Sequence, residues 1–149
     1  MSFFKSFNIS SSGLTAQRLR MDIIAQNIAN VNTTRTEDGT PYRRKTVVFQ
    51  ERERVPFSRY LSSASRERFL NGGAGGVKVT AIVEDPSPFR EVYDPGHPDA
   101  DENGIVRMPN VDIITEMVNM ISATRAYEAN VTALNASKSM ASKALEIGR

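Results

Sequence analysis

From Val111 to Ile147 the chain contains neither proline nor glycine, and this uninterrupted stretch limits the fold more than any other feature of the sequence. Proline removes a backbone donor and glycine costs the most backbone entropy, so their absence over such a length permits one continuous helix. Asp112 offers an N-cap, and Glu116 in the first turn complements the positive end of the helix dipole. A helix from Asp112 to Ile147 would be about 54 Å long. Along it Ile113, Met117, Met120, Thr124, Tyr127, Val131, Leu134, Lys138, Ala141 and Leu145 recur at alternating intervals of four and three, a heptad seam. The seam is weak. Thr124, Lys138 and Ala141 stand where buried Leu or Ile would contribute roughly 1.5–3 kcal/mol each. A single partner helix would gain little from it, so the pattern predicts pairing that neighbouring subunits complete.

A second, shorter helical arm opens the chain. Leu14, Met21 and Ile28 repeat every seven residues, with Ile24 and Val31 on the adjoining stripe. Ser11 or Ser12 is placed to cap its start, and Asn30 and Asn32 to end it, giving about 20 residues or roughly 30 Å. Two terminal helices of matching period predict an antiparallel, coiled-coil-like pair. The alternative is a globular domain in which both helices pack on one sheet.

Between the arms the texture changes. All seven prolines and seven of the nine glycines fall between residues 33 and 110, which marks a turn-rich centre. Tyr42 to Gln50, following the Asp38-Gly39 turn, reads as a strand. Val77, Val79, Ala81 and Val83 alternate as in a half-buried strand, and Arg90 to Tyr93 and Ile105 to Met108 suit two short ones. Glu51 to Gly76, charged, Ser-rich and ending in a glycine cluster, reads as a long flexible loop. The predicted fold is therefore α+β: a helical arm at 1–32, a small β-rich centre at 33–110 with a loop at 51–76, and a helical arm at 111–149. A chain of 149 residues has room for one domain of modest core with extended arms.

Charge and composition exclude several functions. The net charge is only +2, but Arg43 to Arg68 holds eight basic and three acidic residues, leaving the remainder of the chain acidic. A solvated basic loop accounts for this without an anionic partner. Tyr42, Arg43, Arg44 and Phe49 mix aromatic and cationic groups as a single-strand binder would, but one such cluster fits a solvated strand edge as well, and no nucleic-acid partner is expected. With no cysteine there is no disulfide, thiolate metal site or cysteine nucleophile. The start of the chain has no apolar core of a cleavable secretory signal, and no stretch has the length of a membrane span.

Asp99, Asp101, Asn103 and Gly104 match the opening of a calcium-binding loop, yet Asn110 occupies the twelfth position where a bidentate Glu belongs, and Pro109 precedes it. His97, the sole histidine, lies in a proline-flanked turn without a nucleophile motif. The glycines at 72–76 fit neither a phosphate-binding loop nor a dinucleotide fingerprint. Met117, Met120 and Met140 read as adaptable packing residues. No catalytic residue, cofactor, metal or small-molecule substrate is expected. An enzyme built on His97, Asp99 and Asp101 is the competing class, and a calcium- or nucleic-acid-binding module a third.

Three stretches carry a resemblance. Ala25-Gln-Asn-Ile-Ala-Asn-Val-Asn-Thr33 resembles the N-terminal helix motif shared by flagellar rod, hook and related axial proteins. The run from Tyr93 to Asp112, together with Glu116-Met-Val-Asn-Met120 and Arg125-Ala-Tyr-Glu-Ala-Asn130, is similar to the proximal-rod members of that family. The resemblance implies a structural subunit of the bacterial flagellar basal-body rod, part of the drive shaft that crosses the periplasm. It implies export through the flagellar type III apparatus without a cleaved signal, and terminal segments that become packed helices on assembly. The implied partners are copies of the chain, other rod proteins, the MS-ring/rod junction protein and the export apparatus. The seam residues expected to form the assembly interface are Leu14, Met21, Ile24, Ile28, Ile113, Met117, Met120, Tyr127, Val131, Leu134 and Leu145. Glu51 to Gly76 is longer and more basic than the family pattern.

Overall fold

A computed structural model describes residues 3–52 and 75–147. Helix α1 spans Phe3–Ala29 (27 residues) and α2 spans Ile113–Ile147 (35 residues). Four strands lie between them, β1 at Lys45–Glu51, β2 at Val77–Glu84, β3 at Arg90–Tyr93 and β4 at Ile105–Met108. They form two separate two-stranded antiparallel sheets, β1 with β2 and β3 with β4. The architecture is α+β, with a long helix at each end and a small β-rich centre.

Asp112 caps α2 as its position predicts: its carboxylate accepts from the backbone N–H groups of Ile114 and Thr115 at 3.3 and 3.2 Å. The start of α1 departs from expectation. The helix runs through Ser11 and Ser12 from Phe3, because these residues sit inside it rather than before it. Ser12 Oγ donates to the Ile9 carbonyl (2.7 Å), and Thr15 Oγ1 donates to the Ser11 carbonyl (3.1 Å), the back-bonding that hydroxyl side chains adopt within helices. At the other end Asn30 Nδ2 bonds the Gln26 carbonyl and Thr33 Oγ1 bonds Asn30 Oδ1, so Asn30 terminates the helix as expected.

Strand β1 begins at Lys45 instead of Tyr42, since Tyr42 turns into the core and the Arg44 N–H is taken by Asn110 Oδ1 at 2.8 Å. The β1–β2 register shifts between Val48 and Phe49. Thr80 is the extra residue of this bulge, and its hydroxyl donates to the Val48 carbonyl at 3.3 Å. The alternation expected along Val77, Val79, Ala81 and Val83 therefore stops at the bulge, and every residue from Thr80 to Glu84 is exposed. Most of the expected loop, residues 53–74, lies outside the described residues; at its base the Arg52 N–H donates to the Gly76 carbonyl at 2.8 Å.

The helices pair antiparallel, with Asn27 opposite Glu116, Met21 touching Thr124, and Gly13 against Asn130. The face of α2 turned inward is Glu116, Met120, Ala123, Tyr127, Asn130, Leu134, Ser137 and Ala141. This shares Met120, Tyr127, Leu134 and Ala141 with the expected seam and shifts the alternate positions by one residue. Ile113, Met117, Lys138 and Leu145 are exposed, and Thr124 and Val131 lie half-buried on the flank. The reason is that the helices approach on small residues: Ala123 has no exposed surface and Ala16 is 3% exposed, while Glu116 is drawn inward by polar partners. Ile23, Ile24, Tyr42, Val106 and Val111 complete the core where α1, the strands and the start of α2 meet.

Candidate assembly site

At the centre of this core lie two polar side chains, Asn27 and Glu116, each 1% exposed. An unpaired buried polar group costs about 1–3 kcal/mol, and a lone carboxylate more. Here every one is matched. Asn27 Oδ1 accepts from Tyr42 Oη and from the Lys45 N–H, both at 2.9 Å, while its Nδ2 donates to the Lys45 carbonyl (2.8 Å) and to Glu116 Oε2 (2.9 Å). The amide thus bonds both backbone groups of Lys45, as a neighbouring strand would, and ties α1 to the start of β1. The other oxygen of Glu116 accepts from Arg44 Nε (2.9 Å) and Nη2 (2.8 Å), and Arg44 Nη1 reaches Asp85 Oδ2 at 3.1 Å. Asn110 closes the circuit, accepting from the Arg44 N–H and donating to the carbonyls of Asp85 (3.1 Å) and Ser87 (3.2 Å).

The electrostatics follow from these contacts. Burial pushes the Tyr42 phenol up, and the nearby Glu84 and Glu116 charges add to the shift. For Arg44 burial acts downward, but hydrogen bonds and charge from Glu116 and Asp85 outweigh it and hold the guanidinium above its ordinary value. The Ser87 hydroxyl and N–H, with Arg44 behind them, hold the Asp85 carboxyl below the usual aspartate value. Asp112 is lowered by the hydroxyl and N–H of Thr115. Asn27, Asn110 and Glu116 lie within the stretches that carry the resemblance, while Tyr42, Arg44, Lys45 and Asp85 lie outside them, and no contiguous motif joins the two groups. The available signal was a polar residue at a core position: Asn27 follows Ile23 and Ile24 at helical spacing.

The expected interface residues divide into two sets. Ile24 is buried, and Leu14, Met21, Ile28, Met120, Tyr127, Val131 and Leu134 are half-buried within or beside the helix pair. Ile113, Met117 and Leu145 face outward, Leu145 with 78% of its surface exposed. Ile113 and Met117 join Ile114, Val118 and Ile121 in an apolar row on the first turns of α2, each between 45% and 74% exposed.

The other chemical candidates are engaged in turns and packing. His97 Nδ1 accepts from the Asp99 N–H, and Asp99 Oδ2 accepts from Thr34 Oγ1. Among the described residues no three of His, Asp and Glu converge as metal ligands. Arg43 stacks on Phe89 with 4.6 Å to the ring centroid, and Lys45 lies over Tyr42, so these cations and rings serve the chain itself. Among the described residues no helix is long and apolar enough to cross a membrane.

Fold and site together define a scaffold: two long antiparallel helices locked by a polar centre, with a small β-rich body and an apolar row left open. The flagella basal body rod protein model matches residues 7–35, and the flagellar basal body rod FlgEFG protein C-terminal model matches residues 102–147. Flagellar basal-body rod protein FlgC of Borreliella burgdorferi is 51% identical over 152 residues, covering 99% of this chain and 98% of the relative. That of Bacillus subtilis is 51% identical and that of Salmonella typhimurium 42%, each alignment covering both chains completely. The chain belongs to the FlgC family of flagellar basal-body rod proteins and is a structural subunit of the rod, located in the flagellar basal body and serving motility. It assembles with other rod components.

Proposed function

We propose that the subunit is joined to its neighbours through the outer face of α2, and that assembly rather than catalysis is its whole activity. The observation that carries this is the row Ile113, Ile114, Met117, Val118 and Ile121, whose large apolar side chains remain exposed in the single chain. A contiguous apolar surface rimmed by polar residues is characteristic of an interaction site. Leu145 extends the outward set near the end of the helix, while Leu14, Met21, Ile24, Ile28, Met120, Tyr127, Val131 and Leu134 hold the pair that presents it. In this reading residues 1–32 and 111–149 are the assembling arms, and 33–110 is the body they carry. The neighbours are copies of the chain, other rod proteins and the MS-ring/rod junction protein. The chain reaches its periplasmic position through the flagellar type III apparatus without a cleaved signal.

The test separates assembly from folding. Met117→Asp/Val118→Asp alters only exposed positions, so the purified variant should keep its helix content and lose no more than about 0.5 kcal/mol of stability. Cells carrying it should lose rods and swimming. Intact rods and normal swimming would overturn the assignment of this face.

A further inference from the structure

We infer that Asn27, Glu116, Gly13 and Asn130 form a register code, determining the single sliding position at which α1 accepts its own α2. The apolar residues of the pair cannot make that choice. Leu14, Met21 and Ile28 recur every seven residues on α1, and Met120, Tyr127, Leu134 and Ala141 recur every seven on α2. Sliding one helix past the other by a heptad, about 10 Å, returns equivalent apolar side chains to opposition.

Two contacts break this degeneracy. Asn27 Nδ2 meets Glu116 Oε2 at 2.9 Å. On the same interface, Gly13 lies so close to Asn130 that a β-carbon at residue 13 would come within 2.9 Å of Asn130 Oδ1. The Asn130 amide is held there by its bond to the Ala126 carbonyl (2.8 Å). Fourteen residues separate Gly13 from Asn27, and fourteen separate Glu116 from Asn130, so one antiparallel alignment satisfies both contacts together. A one-heptad slide in one sense sets Asn27 against Ala123 and Gly13 against Ser137, and withdraws Glu116 from Arg44. In the other sense Asn27 faces Pro109 and Gly13 faces Ala123. Either slide strips the buried Glu116 carboxylate of its bonds to Asn27 and Arg44 and leaves the Asn27 amide without its acceptor on α2, a penalty that falls on the wrong alignments alone. A buried polar residue that fixes helix register in this way is the best-attested use of such groups.

Because the chain has no cysteine, introduced pairs report the alignment directly. Met21→Cys with Thr124→Cys reports the native register, since those side chains touch at 3.6 Å. Met21→Cys with Val131→Cys, or with Met117→Cys, reports a slide of one heptad. In the otherwise native full-length chain, mild oxidation should close the 21–124 pair and neither slide pair. In an Asn27→Leu/Glu116→Leu background, helix content by circular dichroism should persist while a slide pair closes to an extent comparable with the native pair. Glu116→Gln, which keeps the side chain's size and, with its one oxygen, the acceptor for Arg44, should retain the single native register. Exclusive 21–124 closure in the double-leucine background would overturn the inference, because apolar contacts would then suffice. Loss of helix content there would also overturn it, because the polar centre would then determine folding instead of register.

Discussion

Glu116 can occupy the centre of the molecule because both of its oxygens are bonded, one by Asn27 and one twice by Arg44. Removing the carboxylate leaves the Asn27 amide one bond short and a guanidinium, 22% exposed, with Asp85 still beside it, a loss of about 1–3 kcal/mol. Glu116→Ala should therefore lower the urea midpoint by an amount corresponding to that range; a loss under about 1 kcal/mol would show that Arg44 finds another acceptor. Asp85 and Asp112 supply a separate, pH-dependent contribution. Both carboxyls are held below the ordinary aspartate value of 3.8 in the folded chain. The stability they provide is thus complete above that value and is lost as the pH falls through the lowered folded values. The thermal midpoint should drop between pH ~4 and ~2, and Asp85→Asn/Asp112→Asn should make that drop shallower.

The elements differ in how far local chemistry controls them. Helix α2 follows from its cap and from the absence of breakers, so its start at Ile113 was legible in Asp112. Helix α1 begins earlier than its serines suggest, because a hydroxyl that caps a helix and one that bonds back into it look the same in sequence. The β1–β2 hairpin depends on a longer-range fit. Ser12 Oγ accepts from the Val77 N–H at 3.1 Å, beside Gly76, whose backbone has φ +96°. A β-carbon at residue 76 would both strain that conformation and collide with Ser12 Oγ. Gly76→Ala should cost about 1–3 kcal/mol in chemical denaturation, and Ser12→Ala in the same chain should recover part of it. Failure of the second change to restore any stability would place the whole cost in the backbone.

At the scale of the molecule, the single chain buries one side of α2 and leaves an apolar row open on another, which suits a subunit of a larger rod better than a self-contained globule. By itself, the sequence determined the long helices at both ends, the β-rich centre and the family to which the chain belongs, because helix length follows from local propensity and the quoted motifs are contiguous. The heptad period also predicted that the arms pair, leaving open the alternative of both helices on one sheet. Which residues face inward was decided only by the tertiary structure. Ranking positions by apolar size favours Ile113 and Met117, whereas close helix approach selects Ala123, and a carboxylate reaches the interior only when Arg44 and Asn27, distant in sequence, arrive to meet it. Periodicity records spacing along one helix, and burial depends on partners that folding alone brings together.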